Sequence, residues 1–161
     1  MSSYDIEIKK VPAVRVASFQ AKGMPFNVTI PKAYEELAKW MDSKKIPMPT
    51  GSPMGLALYY DDPKSVKPEE VRFKVAILVP TETPAISEGK AAVEELPACE
   101  VAYLTVRGPY TNLEDAYNQL FSWVYKSGYK VTEPSREVYV KWGEPIPPEE
   151  WVTEIQAPIE K

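Results

Sequence analysis

The sequence predicts an α+β domain built from two copies of one strand-and-helix unit, with largely antiparallel strands, and three alignments within the chain carry that reading. VPAVRVASFQAKG (11–23) lies over LPACEVAYLTVRG (96–108) at an offset of 85, where Pro12, Ala13, Val16, Ala17 and Gly23 meet Pro97, Ala98, Val101, Ala102 and Gly108. TIPKAYEELAKWM (29–41) lies over NLEDAYNQLFSWV (112–124) at an offset of 83, pairing Ala33, Tyr34, Leu37 and Trp40 with Ala116, Tyr117, Leu120 and Trp123. PEE at 68–70 then meets PEE at 148–150 at an offset of 80. The offset falls in order along the chain, as loop deletions between two duplicated copies would make it.

Each element follows from its own pattern. In the first copy, YDIEIKK (4–10) alternates and reads as a leading strand, followed by a β-branched alternating run at 11–19. A helix comes next, with Thr29 as N-cap and apolar residues at 30, 33, 34, 37, 40 and 41, one stripe of a 3.6-residue period. Strands at 55–60 and 71–79 complete the copy. The second copy repeats this grammar with KAAVEEL (90–96), a strand at 99–107, a helix after Asn112, and strands at 136–142 and 151–156. The chain therefore reads as a single domain, 1–161, whose repeats run from about 4 to 80 and from about 90 to 159. A helix with one apolar stripe covers one sheet face. Two such copies related by a pseudo-two-fold are expected to leave a central cleft, where small molecules usually bind.

Composition removes several function classes. The 161 residues contain no histidine and one cysteine, Cys99, so His-dependent triads, imidazole-ligated haem, Cys-rich metal sites and internal disulfides are excluded. No metal is expected from a chain so poor in imidazole and thiolate donors, and no cofactor, since neither a GxGxxG nor a GxxxxGK[ST] motif gives nucleotide binding a foothold. A net charge of −4 without a basic block argues against direct nucleic-acid binding and against an anionic membrane surface. With no apolar run of membrane-spanning length and no signal-peptide core in MSSYDIEIKK, a cytoplasmic location is expected. The 17 prolines cluster in loop stretches such as 44–55, 79–87 and 142–151, as punctuation between elements.

One strand stands out. In SREVYVKW (135–142), Val138, Val140 and Trp142 share one face while Glu137, Tyr139 and Lys141 share the other. That second face is either an ordinary solvated one or the floor of a site that wants negative charge. Aligning Pro53 with Pro134, an offset of 81, sets Leu56, Leu58 and Tyr60 opposite Glu137, Tyr139 and Lys141. An apolar counterpart suggests a covered face and a carboxylate in partly apolar surroundings, which is costly unless paired. Its partner would be a ligand, Arg136, Arg107 or a tyrosine. Among the other aromatics, Tyr110 and Phe26 sit at repeat junctions as pocket candidates, and Tyr103 faces either core or cleft. Trp40, Trp123, Tyr34 and Tyr117 lie on helix stripes, where packing is the default and lining a site is secondary. Cys99 reads as a buried small hydrophobe.

GPY (108–110), AYxxLxxW (116–123), REVY (136–139) and PPEEWVTEIQAPI (147–159), in that order, resemble the GyrI-like small-molecule-binding family, the effector-binding domain of many AraC-type and MerR-type regulators. The resemblance covers about residues 4 to 159 and implies two SH2-like β-α-β-β units around a hydrophobic cleft. It implies that Glu137 lies in that cleft with Tyr139 beside it, and that Tyr110 and Trp123 are further lining candidates; Tyr103, Leu58 and Phe26 join them from the residue patterns above. Haem-binding SOUL proteins are similar in architecture, but without histidine this chain does not look like that branch. No helix-turn-helix is expected, since the sequence opens almost directly into its first strand.

Three functions follow from the resemblance. The first is binding of lipophilic, aromatic or cationic small molecules for drug sequestration or sensing. The second is hydrolysis of reactive cyclopropane-type electrophiles, with Glu137 as general base and Tyr139 or Tyr110 orienting the electrophile. The third is interaction with a protein partner, as in inhibition of gyrase; a homodimer also remains open.

Overall fold

The computed structural model describes residues 4–24, 26–47, 55–60, 66–108, 113–132, 135–141 and 146–160. Among these the elements are β1 (Glu7–Val11), β2 (Val14–Lys22), α1 (Phe26–Ser43), β3 (Gly55–Tyr59), β4 (Arg72–Leu78), β5 (Ile86–Glu88), β6 (Ala91–Leu96), β7 (Cys99–Arg107), α2 (Leu113–Lys126), β8 (Lys130–Val131), β9 (Ser135–Lys141) and β10 (Val152–Glu160). Both PEE triplets, 68–70 and 148–150, form a single 3-10 turn just before β4 and β10. The architecture is α+β, with antiparallel strand pairing.

The chain divides into two compact units, Ala13–Pro97 and Met1–Pro12 with Ala98–Lys161. In the first, the strand order is β3-β4-β2-β6-β5. Ala33, Leu37 and Met41 of α1, one helical turn apart and so on one face, pack on Ala17, Phe73, Val75, Ile77 and Val93. The other unit has the order β1-β7-β10-β9, with β8 paired to β10. Ala116, Leu120 and Val124 of α2 repeat the same spacing over Ala102, Leu104, Val106, Ile155 and Ala157.

The corner from strand to helix is also repeated. Gly23 and Gly108 take φ of 106° and 101°, a left-handed geometry that glycine adopts without a Cβ penalty. Their N–H groups donate to Val71 O at 2.9 Å and to Trp151 O at 2.8 Å, acceptors that are themselves 80 residues apart.

Four features depart from the sequence reading. The leading strand is 7–11 rather than 4–10, and it pairs with β7, Glu7 against Tyr103, whereas β6 pairs with β2. Alternation identifies a strand but not its partner, so each leading strand was assigned to the copy that follows it in sequence. Helix α1 begins at Phe26, three residues before Thr29, whose hydroxyl donates to Gly23 O at 2.9 Å and so braces the corner. Asn112, the corresponding N-cap candidate, lies outside the described residues. The short strands β5 and β8 have too few residues to show a period. Cys99 is partly exposed at the start of β7 rather than buried.

Candidate functional site

Strand register decides which way Glu137 points. On β9, Glu137 stands across from Ile155 and Tyr139 across from Thr153. Ile155 belongs to the core under α2, so Glu137, Tyr139 and Thr153 share the α2 face. In the other unit, Ala57 stands across from Val75 and Tyr59 across from Phe73, beneath α1. Setting β4 on β10 by their shared PEE turns places Val75 on Ile155 and Phe73 on Thr153. The counterparts of Ser135, Glu137 and Tyr139 are therefore Gly55, Ala57 and Tyr59, at an offset of 80. This corrects the offset of 81, which set Leu56, Leu58 and Tyr60 against Glu137, Tyr139 and Lys141. A slip of one residue exchanges the two faces of a strand. Leu58 is buried, but on the side of β3 that carries Lys74, its partner across the ladder, away from α1.

Glu137 is 4% exposed and Tyr139 8%. The Tyr117 hydroxyl, on α2, donates to Glu137 Oε2 at 2.5 Å, and Tyr139 donates to Oε1 at 3.4 Å. Burial, followed by the charge and hydrogen bond of Glu137, pushes the Tyr117 hydroxyl well above the ordinary tyrosine range, so it remains a donor. The Tyr117 ring stacks on Phe121 with centroids 6.0 Å apart. Thr153, 1% exposed, completes the patch, and its hydroxyl has no hydrogen-bond partner.

The equivalent patch under α1 is apolar. Tyr34, the counterpart of Tyr117, donates to the backbone oxygen of Leu56 at 2.8 Å, with Gly55 and Ala57 where Ser135 and Glu137 stand. Phe73 fills the place of Thr153, with its ring 6.4 Å from that of Tyr59. Three polar residues, Ser135, Glu137 and Thr153, have thus taken the positions of Gly, Ala and Phe on one face of one unit.

The remaining candidates lie elsewhere or outside the described residues. Tyr103 is on the face of β7 away from α2, donating to Glu7 Oε2 at 3.0 Å, with Lys9 Nζ 4.2 Å above its ring. The Glu7 hydrogen bond raises the Tyr103 hydroxyl. Lys9 also pairs with Glu154 at 2.8 Å. The first unit keeps this ion pair with its charges exchanged: Glu94 and Lys74, 3.1 Å apart, occupy the positions of Lys9 and Glu154, and Ser18, which donates to Glu94, occupies that of Tyr103. Tyr103 therefore lies in a polar network on the face of β7 away from α2. Trp123 packs against the core beneath α2, its ring stacked on Tyr129 at 6.5 Å. Phe26 is the first residue of α1. Its side chain, and all of Tyr110, lie outside the described residues.

Sequence reasoning treated Tyr117 as packing and missed Thr153. The signal for Thr153 was the offset of 80, which sets PEEWVT over PEEVRF and shows a threonine where the first copy has phenylalanine. It also missed a hollow of about 380 Å3 in the first unit, lined by Lys22, Arg72, Lys74, Lys90, Tyr60 and Phe73, whose cations disfavour a cationic guest. No described helix is long and apolar enough to cross a membrane, and no cluster of three His, Cys, Asp or Glu occurs among the described residues.

Two similar α+β units, one of them with a buried carboxylate held by tyrosine hydroxyls, define the class as a small-molecule-binding domain of the effector-binding type. The chain belongs to the family described as GyrI-like small molecule binding domain, whose profile matches residues 4–160. A DNA gyrase inhibitor of Erwinia billingiae is 29% identical over 163 residues, covering 98% of each chain. The crystal structure of the EcmrR C-terminal domain superposes with a TM-score of 0.76 at 27% identity, over 98% of each chain. EcmrR in its complex with DNA gives a TM-score of 0.81, and there the chain spans 58% of the regulator's length.

Proposed function

We propose that this domain binds lipophilic aromatic cations, with Glu137 as the counter-charge, and so sequesters or senses them. The observation that supports this reading most strongly is the 4% exposed Glu137 beneath α2, at a position where the duplicate unit has Ala57. A buried carboxylate costs stability unless it is paired and hydrogen-bonded. The fold does not require one there, since the unit under α1 packs with alanine. Tyr117 and Tyr139 hold the carboxylate by hydroxyl donors, while their rings offer faces on which a flat cation gains stacking and cation–π contact. Membership of the GyrI-like small molecule binding family supports a small-molecule ligand.

A thermal-shift screen of wild type and Glu137→Gln against aromatic cations such as rhodamine 6G and tetraphenylphosphonium, with neutral aromatics as controls, tests the proposal. Upward shifts that disappear in Glu137→Gln are expected. Shifts of equal size in both proteins, or none in either, would sink it. Mass spectrometry of each ligand after prolonged incubation separates binding from hydrolysis. Recovery of intact ligand is expected, and a Glu137-dependent product heavier by one water would mark the site as hydrolytic instead. The ligand is the primary partner in this reading, without direct nucleic-acid contact. The gyrase inhibitors among the relatives make a supercoiling assay with and without ligand the matching test for a protein partner.

A further inference from the structure

We infer that Thr153 makes this site select protonated amines over permanently alkylated cations, an inference that rests on the Glu137 site proposed above. The strand register seats Thr153 directly across from Tyr139 and diagonal to Glu137, on the same face beneath α2. Its hydroxyl is enclosed, with the residue 1% exposed, and has no hydrogen-bond partner. Burying an unpaired hydroxyl lowers stability, so such a group calls for an explanation. Packing does not supply one, because the equivalent position under α1 is Phe73, an apolar residue in the core.

The chemistry of the neighbours decides what the hydroxyl would recognise. Both carboxylate oxygens of Glu137 already accept from tyrosines, Oε2 from Tyr117 and Oε1 from Tyr139. A cation without N–H groups gains charge neutralisation from Glu137 and ring contact from the tyrosines, and nothing from Thr153. An ammonium N–H is directional and needs acceptor lone pairs. Thr153 Oγ1 offers one on the same sheet face as the carboxylate, from a side chain smaller than the phenylalanine at the equivalent position of the other unit. Hydrogen bonds to charged groups are the strong ones, so the discrimination should be measurable.

The test is calorimetric titration at pH 7 of imipramine, protonated there, and of its N-methyl quaternary salt, into wild type, Thr153→Val, Thr153→Ser and Glu137→Gln. Wild type should prefer imipramine. Thr153→Val should weaken imipramine about tenfold and move the quaternary salt less than about twofold, since one hydrogen bond to a charged group is lost. Thr153→Ser should keep the wild-type ratio. The urea midpoint of ligand-free Thr153→Val should equal or exceed that of wild type, which a structural role for the hydroxyl would not give. An unchanged ratio in Thr153→Val, with Glu137→Gln still weakening both ligands, overturns the inference and leaves the Glu137 reading standing. Equal weakening of both ligands together with lost stability overturns it in favour of packing. No binding of either ligand to wild type overturns both readings.

Discussion

Replacing Tyr117 by phenylalanine isolates the interaction on which the site depends. The substitution keeps the ring that stacks on Phe121 and removes only the hydroxyl that donates to Glu137 Oε2 at 2.5 Å. A hydrogen bond to an ionised group contributes about 1.5–3 kcal/mol, and here its loss leaves a buried carboxylate oxygen short of a donor. The duplicate supplies an internal control. Tyr34→Phe removes the equivalent hydroxyl, which donates to the neutral Leu56 carbonyl at 2.8 Å and contributes about 1 kcal/mol. Tyr117→Phe is therefore expected to destabilise by about 2 kcal/mol, roughly twice the effect of Tyr34→Phe. With a urea m-value of about 2 kcal/mol/M, its midpoint falls by about 1 M. Urea titration followed by circular dichroism measures both variants, and a cycle with Glu137→Gln apportions the coupling. A loss no larger than that of Tyr34→Phe, or additivity with Glu137→Gln, would refute the reasoning.

Two further predictions come from the same geometry. Tyr117 has a hydroxyl pKa raised far above the ordinary value, so it holds its proton in the folded state at pH values where the unfolded chain releases it. Its contribution to stability is complete below pH of about 10 and is lost as the pH rises above that; the fall in urea midpoint between pH 9 and pH 11 should be smaller in Tyr117→Phe than in wild type. Gly55→Ala would place a Cβ 3.0 Å from both Ala76 O and the Tyr34 hydroxyl oxygen, so it should destabilise by about 1–3 kcal/mol. The urea midpoint of that variant, equal to that of wild type, would show that the strand relaxes freely there.

Much of this fold can be read from the chain, and the places where the reading stops have physical reasons. Ala33, Leu37 and Met41, and 83 residues on Ala116, Leu120 and Val124, mark two helices because a 3.6-residue period writes itself over eighteen and fourteen residues. Strand partners are not written in the same way. YDIEIKK alternates whether it pairs with β2 or β7, and only the ladder puts Glu7 against Tyr103. Glu137 drew notice as a charged residue in an apolar strand, but its direction turned on one residue of register. Offsets of 80 and 81 both look reasonable in sequence, yet only the even one keeps it beneath α2. Tyr117 reads as packing because it does pack, half-buried against the core on the α2 stripe. That its hydroxyl meets a carboxylate is a property of the folded chain alone. Thr153 carries no signal by itself and becomes visible only against Phe73 of the other copy.

The most direct measurement of the central claim is the equilibrium affinity of a rigid aromatic cation, tetraphenylphosphonium, for wild type and Glu137→Gln by isothermal titration calorimetry. Loss of one partner from a buried charge pair costs about 2–5 kcal/mol, so the account predicts at least about a 30-fold weakening. Affinities within about twofold of each other, well inside that expected loss, would contradict it and take the ligand away from Glu137.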